Sequence, residues 1–442
     1  MKKTEFAHAR ELAFYVLTQT PSSMLVSENL DIQLSRTSLS PADKRLAAHL
    51  VLNCVRRKGS LDTIIGCYSS FPLDTLTPAI IAVLELGIYQ IRYMDKIPVF
   101  AAVNESVELA RKYGSKKSAG FVNAVLREII RNPQKLESHV KSLGPVEKMS
   151  FEESHPIWLI EHFLKVYSFE QVSALCACNN LLPQLTVRID TRKISVHDFI
   201  ERLTGSGIGC VPSAIHPDCI RLMDFGSLNG VPGYNEGWFV VQDETPVAIT
   251  DMLSISDSRP LDMLDLCAAP GGKTTYLAQY AHPASRIWAV DRSEKKIAVL
   301  KTTLDRMGYT HVVPSAADAG NYESLKRLFG DTRFDVIVAD VPCSNTGVLR
   351  KRAEVRWRLK ENDFERLSKT QCTILKTASS FLKPSGKLLY STCSIDPQEN
   401  EQVVEQVLKL VPALKCTSRY FNLPVQPDSG DGGFGAVLTF NE

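Results

Sequence analysis

Three short segments of the chain carry residues able to do chemistry: Cys267-Ala268-Ala269-Pro270-Gly271-Gly272-Lys273-Thr274, Asp340-Val341-Pro342-Cys343-Ser344 and Ser391-Thr392-Cys393-Ser394. The first follows a buried-type apolar run, Met263-Leu264-Asp265-Leu266, and opens a helix through Tyr276-Leu277-Ala278. Such a strand-to-helix turn lets a nucleotide-like ligand approach the backbone, and the helix N-terminus favours its negative group. The next strand-like run, Ile287-Trp288-Ala289-Val290, ends in Asp291, from which a carboxylate can accept hydrogen bonds from both ribose hydroxyls. Ala316-Ala317-Asp318 supplies a third polar strand end that could meet an adenine.

The two cysteines suit attack on a pyrimidine. Carbon 5 of cytosine is a poor nucleophile until a thiolate adds to carbon 6, which breaks the ring's aromaticity and makes carbon 5 enamine-like. A free thiol near pKa 8.5 is only a few per cent ionised at neutral pH, so its site must favour the anion. Lys273 and the helix terminus are the expected sources of that help. Asp340, closing the run Val336-Ile337-Val338-Ala339, is positioned to hydrogen-bond the cytosine N3 and exocyclic amine. After methyl transfer the carbon 5 proton must leave and the thiol must be expelled, for which Cys343 or a water it positions is the expected helper.

Other readings of the turn fit less well. Gly272-Lys273-Thr274 suggests a nucleoside-triphosphate loop, but that pattern needs glycine at position 267, where this chain has cysteine. Spacing alone would also allow NAD, but hydride transfer gives the downstream cysteines no role.

At 442 residues the chain exceeds the roughly 250–300 residues at which a single core usually stops growing, so two or three domains are expected. Hydrophobic residues at 44% and charged residues at 23% are ordinary for a globular protein. The net charge of +2 neither announces nor excludes a nucleic-acid binder. Residues 1–150 hold 20 Lys and Arg against 14 Asp and Glu, and the remainder 31 against 35, so positive charge gathers in the N-terminal third. The start, Met1-Lys2-Lys3-Thr4-Glu5-Phe6, lacks a signal-peptide run and no apolar stretch reaches about 18 residues, from which a cytoplasmic protein without membrane association is expected. Eleven scattered cysteines do not make a disulfide framework. Cys176 and Cys178 have no second pair or nearby ligand histidine at zinc spacing, so no metal site is expected.

Three regions must position this chemistry. From Glu5 to about Asn132 the chain reads as helices, the plainest being Ala101–Lys112, with Val103, Val107 and Ala110 on one stripe, and Ala119–Arg131. From about Ser154 to Glu244 the pattern becomes a small α+β module, with extended runs at Leu185–Asp190 and Cys219–Leu222 and a helix near Val196–Leu203. From Asp262 onward, strand-like runs at Met263–Leu266, Arg286–Val290, Val336–Ala339 and Lys387–Tyr390 alternate with helical stretches. That alternation predicts a mostly parallel sheet with helices on both faces. Arg350, Lys351, Arg352, Arg356, Arg358 and Lys360, interleaved with Trp357, read as a segment able to meet phosphates and stack a base.

Residues 261–400 resemble the RNA cytosine-C5 methyltransferases of the RsmB/Nop (Sun) family, in the donor motif Asp265–Thr274, the fourth motif Asp340–Gly347 and the sixth motif Ser391-Thr392-Cys393-Ser394 followed by Glu399-Asn400-Glu401. The resemblance implies that Cys393 is the nucleophile and Cys343 assists product release, and that S-adenosyl-L-methionine binds at Cys267–Lys273, Asp291, Asp318 and Asp340. It implies three domains: a NusB-like all-α RNA-binding domain at 1–140, a small α+β, RRM-like RNA-binding domain at 150–244, and a Rossmann-like α/β class I methyltransferase domain at 245–442. The first is similar to the bacterial subgroup's NusB-type domain in Ile97-Pro98, Ala102-Val103-Asn104-Glu105 and Gly120–Arg127. The implied substrate is a cytosine in 16S rRNA, free or partly assembled, and a monomer is expected. A tRNA or DNA cytosine methyltransferase and a non-catalytic RNA chaperone or antitermination-like factor are the rival readings. The chain departs from the family pattern at Asn345, where glycine is frequent, at Ala353, where proline is common, at Gly433, where a bulky residue is usual, and at Thr245-Pro246.

Overall fold

Helices fill the first part of the chain because apolar residues recur at helical spacing and each run is punctuated by a cap or a proline. The expected helix at Ala101–Lys112 is observed as Val99–Tyr113, preceded by Pro98 and followed by Gly114. Its buried face is Ala102, Val103, Ser106, Leu109 and Ala110, so the stripe is rotated from the expected one and Val107 sits at its half-buried edge. Ala119–Arg131 lies within Lys116–Arg131, where Ser115 Oγ accepts from the Ser118 amide at the N-cap. Beyond Asn132 the chain stays helical: Pro133–Ser142 and Pro145–Glu153 each begin with proline in the first turn, where its missing N–H costs nothing. Ile157–Leu164 and Phe169–Asn179 follow.

The computed structural model describes residues 5–256 and 258–441; Met1–Thr4, part of the N-terminal reading above, lie outside the described residues, as do Asp257 and Glu442. The chain divides into two units, residues 5–180 with Arg352–Arg358, and Leu181–Lys351 with Leu359 onward. The first unit is all helical around a core that includes Leu12, Leu50, Ile64, Leu84, Val122 and Leu126. Its excursion Arg352–Arg358 is fastened internally. Arg356 is fully buried and donates to Ser154 O, Asn180 Oδ1 and Asn179 O at 3.1, 3.0 and 3.2 Å. Trp357 Nε1 donates to Val55 O at 2.8 Å, and its ring lies so close to Gly59 that a Cβ there would be 2.7 Å away.

The second unit holds two sheets. Strands β1 (Leu185–Ile189), β2 (Gly209–Pro212), β3 (Cys219–Met223) and β4 (Phe239–Val241) form an antiparallel sheet in the order β2-β3-β1-β4. Helix Val196–Gly205 covers it through Phe199 and Leu203, while β3 and β4 are joined through a single 3-10 turn, Leu228–Gly230. This is a ferredoxin-like order with its second helix reduced to a turn.

Strands β5 (Asp262–Leu266), β6 (Arg286–Asp291), β7 (Val312–Ala316), β8 (Phe334–Asp340), β9 (Leu382–Thr392), β10 (Leu414–Asn422) and β11 (Gly433–Phe440) form the larger sheet, ordered β10-β11-β9-β8-β5-β6-β7. β9, β8, β5, β6 and β7 are parallel, while β11 runs antiparallel to β9 and β10 to β11. Both faces are buried, so the strands read as continuous apolar runs. Along β8, Ile337 and Ala339 enter one core and Val336 and Val338 the other, as the two-residue period requires. The chain runs outward from β5 through β6 and β7, then returns to β8 on the other side, which opens a crevice at the carboxyl ends of β5 and β8. Among the described residues no helix is long and apolar enough to cross a membrane.

Candidate active site

The glycine-rich turn leaves the end of β5 at the mouth of this crevice. Cys267 and Gly271 adopt left-handed φ values of 61° and 114°, and a Cβ on Gly271 would lie 2.7 Å from Leu300 Cδ1, so glycine is required there twice over. The Ala268 amide donates to Val290 O at 2.8 Å, drawing the turn against the end of β6. Ala269 and Pro270 carry the chain from there to the glycines. Within the strand, Asp265 is fully buried and Thr274 Oγ1 donates to its Oδ2 at 2.6 Å, tying the first turn of helix Gly272–Tyr280 to β5. Its Oδ1 has no hydrogen-bond partner among the described residues, and burial pushes the carboxyl up to about 7.

The remaining expected donor-site residues are spread along neighbouring strand ends. Asp291 closes β6, is 6% exposed and accepts from the Ser293 amide through Oδ1 at 3.0 Å. Asp318 lies two residues past β7, where its Oδ1 accepts from the Gly320 amide at 2.9 Å and shapes its own turn. Lys273 Nζ sits 2.9 Å from Asp340 Oδ1 at the end of β8. The lysine expected to favour a thiolate thus pairs instead with the carboxylate expected to read the base. The helix behind the turn is braced from β1, where fully buried Arg188 donates to Thr275 Oγ1 and Gln279 Oε1, both at 2.8 Å.

The two cysteine loops meet. β8 and β9 are parallel neighbours in register Asp340↔Ser391, so the loops that follow them leave the sheet side by side. Cys343 Sγ and Cys393 Sγ are 3.1 Å apart as free thiols. Asn345, at φ 60°, donates through Nδ2 to Cys343 O at 2.9 Å and accepts from Cys393 Sγ through Oδ1 at 3.3 Å. Asparagine, like glycine, adopts this left-handed conformation with little strain. The Gly347 amide donates to Cys393 O at 2.9 Å, and its own carbonyl accepts from the Gly432 amide at 2.8 Å.

Beneath the thiols lies a buried polar knot. The hydroxyls of Ser344, Thr346 and Ser394 form a triangle with sides of 3.1, 3.2 and 3.1 Å. Ser394 Oγ donates to Glu399 Oε2 at 2.6 Å, while the Ser344 amide and Gln371 Nε2 donate to Glu399 Oε1, each at 2.9 Å. Burial pushes the Glu399 carboxyl up. The Cys343 thiol is held well above its ordinary range by its hydrogen bond with Cys393, by burial and by the nearby Glu399 charge. Sequence reading carried Glu399 and Thr346 only as parts of motifs, gave Gln242 no role and passed over Gln371; a carboxylate after an apolar strand with hydroxyls on both cysteine loops was the available signal.

Five residues of the expected phosphate-binding segment make contacts within the protein. Arg350 donates to Leu182 O and Pro427 O, Lys351 is bound by Asp243 and Asp431, Arg358 donates to Met24 O, and Arg356 and Trp357 are fastened as described. These backbone carbonyls and carboxylates take the charges that phosphates were expected to meet. Of the other departures, Ala353 is buried, and a Cβ on Gly433 would approach Thr392 O to 3.0 Å, leaving little room for a bulky residue. Thr245 is buried beside Asn422 in the helix capped by Asp243.

The five parallel strands with an antiparallel β10–β11 hairpin, and a glycine turn at the β5 end, are the class I methyltransferase fold. In crystal structures the same fold is found in PH0851, with a TM-score of 0.80 and 23% identity over 99% of this chain and 100% of that one. It recurs in NSun6 from Pyrococcus horikoshii with SFG, with a TM-score of 0.57 and 18% identity over 66% and 99%. Residues 252–437 match the family described as 16S rRNA methyltransferase RsmB/F, residues 7–131 the NusB family, and residues 155–229 the ferredoxin-like domain of the RsmF/B-like methyltransferases. The probable ribosomal RNA small subunit methyltransferase B of Bacillus subtilis is 30% identical over 93% of this chain and 90% of its own length. Its counterpart from Synechocystis is 32% identical over 91% and 89%. The chain belongs to the RsmB/F family of 16S rRNA methyltransferases, and its methyl donor is S-adenosyl-L-methionine. The turn fits that donor: orphaned buried acceptors at Asp265 Oδ1 and Gln242 Oε1 suit an ammonium group, and Asp291 suits ribose hydroxyls.

Proposed function

We propose that the protein methylates carbon 5 of a cytosine in 16S rRNA through a covalent adduct on Cys393. The observation that carries this reading is the 3.1 Å approach of two free thiols at the ends of β8 and β9, beside the donor turn. Hydride transfer and methylation at oxygen or nitrogen give paired thiols no task. The names of the B. subtilis and Synechocystis relatives support small-subunit rRNA as the substrate. Residues 1–140 and 150–244 would hold that RNA and 245–442 would perform the chemistry, in the cytoplasm where the rRNA is made.

The donor supplies an electrophilic methyl group and departs as a neutral thioether. Cys393 Sγ, as thiolate, forms a bond to cytosine carbon 6, and the ring electron pair moves to carbon 5, which takes the methyl group. Asp340 hydrogen-bonds the base edge and selects cytosine, while Lys273 orients that carboxyl. Cys343, which keeps its proton at neutral pH, protects the adduct's sulfur from solvent and positions the acceptor of the carbon 5 proton. When that proton leaves, its bonding pair restores the ring double bond, the sulfur–carbon bond breaks and the Cys393 thiolate is expelled. Asp291 and Asp318 would hold the ribose and adenine, with Cys267–Gly272 against the rest of the donor.

The test is transfer of labelled methyl groups to unmodified small-subunit rRNA by the intact protein, Cys393→Ala and Cys343→Ala. Loss in both variants, with an RNA–protein adduct that survives denaturing gels only in Cys343→Ala, is expected. Full activity in Cys393→Ala would overturn the nucleophile assignment. An inactive intact protein on rRNA, with activity on tRNA, would move the substrate.

A further inference from the structure

Gln242, the residue immediately after β4, belongs by position to the small sheet, yet its side chain lies on the donor turn. A Cβ built on Gly272 would stand 3.1 Å from Gln242 Nε2 and 3.2 Å from its Cδ. A side chain at 272 would therefore crowd the glutamine, which packs directly on the helix start. Gln242 is 7% exposed, and its Oε1 is buried without a hydrogen-bond partner among the described residues. An amide oxygen left so is destabilising, and native proteins rarely leave one unless a ligand or water completes it. Gly272 is the first residue of helix Gly272–Tyr280, whose leading amides have no partner within the helix.

An unpaired acceptor and a set of amides without intrahelical partners are thus packed together at one helix N-terminus. That is the complement of a zwitterion, with the amides and helix dipole taking a carboxylate and the amide oxygen accepting from the adjacent ammonium. Within S-adenosyl-L-methionine only the amino-acid end has this chemistry; the nucleoside end carries hydroxyls and a base, for which Asp291 is the complementary group.

The geometry points to Gln242 as the residue that reads the α-amino group of the methyl donor, with the Gly272 end of the helix taking its carboxylate. This rests on the assignment of the donor to the β5 turn. The small domain then contributes to the donor site directly, through the residue that follows its last strand.

Calorimetric titration of the full-length protein with S-adenosylhomocysteine and with 5′-methylthioadenosine separates the two ends of the donor, because the second ligand lacks the amino-acid portion. Gln242→Ala and Gln242→Met are expected to weaken S-adenosylhomocysteine about tenfold and to leave methylthioadenosine unchanged, which also reports that the site is folded. Asp291→Ala is expected to weaken both ligands alike. Equal affinity of S-adenosylhomocysteine for the intact protein and both Gln242 variants, or parallel loss of both ligands, overturns the role of Gln242. If Asp291→Ala changes neither ligand, or the intact protein binds neither, the donor assignment itself fails.

Discussion

The Ser344 amide donates to Glu399 Oε1 at 2.9 Å, so a carboxylate that follows the second cysteine loop holds the residue that follows the first cysteine. Ser394 and Gln371 complete its coordination, and every oxygen of this carboxylate is spent on keeping two loops together.

Replacing Glu399 by alanine takes the acceptor from the buried Ser344 amide, while Gln371 Nε2 keeps Pro342 O and the Ser394 hydroxyl keeps its neighbours Ser344 and Thr346. The expected cost is about 3 kcal/mol of stability, with methyl transfer reduced at least 100-fold as the thiols lose their mutual position. Glu399→Gln can still accept from Ser394 and should recover most of the thermal stability and part of the rate. Single-turnover methylation beside thermal melting checks this; an alanine variant that melts earlier but reacts at the normal rate would separate the knot from the chemistry.

The raised Cys343 thiol gives a directed pH effect. A thiol held well above its ordinary value carries less thiolate at any given pH, so Cys343 should resist iodoacetamide at pH 8 and react only well above pH 9. Because the hydrogen bond with Cys393 is the largest cause, Cys393→Ala should lower the pH at which alkylation sets in. Peptide mass spectrometry across pH 7–10 reads the result, and ready alkylation at pH 8 in the intact protein would count against it.

Asp265 links the donor turn to stability. Its carboxyl titrates near 7 in the folded chain and about 3.9 in the unfolded one, so between those values only the folded state keeps the proton. The stabilisation is whole below about pH 4 and falls by up to ~1.4 kcal/mol per pH unit until pH 7. Asp265→Asn keeps a neutral acceptor for Thr274 and should flatten that slope. Urea-unfolding midpoints between pH 4.5 and 7.5 are the measurement, and an unchanged slope would reject the assignment.

Arg188 braces the donor helix with two 2.8 Å hydrogen bonds and lies 5.3 Å from the centre of the Tyr276 ring. Arg188→Ala should cost about 3 kcal/mol and weaken donor binding several-fold. Arg188→Lys should rescue little, since one ammonium cannot reproduce the planar fork that reaches Thr275 and Gln279 together. Melting temperature and donor titration test both variants.

The parallel strands were legible because sheets buried on both faces demand continuous apolar runs bounded by turns, and Met263–Leu266 and Val336–Ala339 are such runs. The hairpin β10–β11 was not. Residues Lys415, Thr417, Ser418 and Arg419 give β10 an edge-strand pattern, and Gly433 and Gly435 in β11 read as loop until the close approach of Thr392 O and Ile249 explains them. The helices Pro133–Ser142 and Pro145–Glu153 were hidden by prolines that start them, whereas the one that begins after Pro156 was legible. Arg356 was misread for another reason: composition reports a charge, and only the folded chain reveals three carbonyl-type acceptors waiting for it. The thiol-bearing loops were visible as motifs, but a contact between positions 343 and 393 follows from β8 and β9 being neighbours, which no local pattern encodes.

The excursion Arg352–Arg358 has a bearing on how this protein can be taken apart. The polypeptide crosses between its two units after Asn180, after Lys351 and after Arg358. A gene fragment beginning at Leu181 would encode a peptide in which Trp357 and the buried Arg356, in the segment that follows the first cysteine loop, have lost their receptacle. Chimaeras that exchange the helical part between relatives should therefore carry seven codons from the middle of the methyltransferase reading frame along with the first 180.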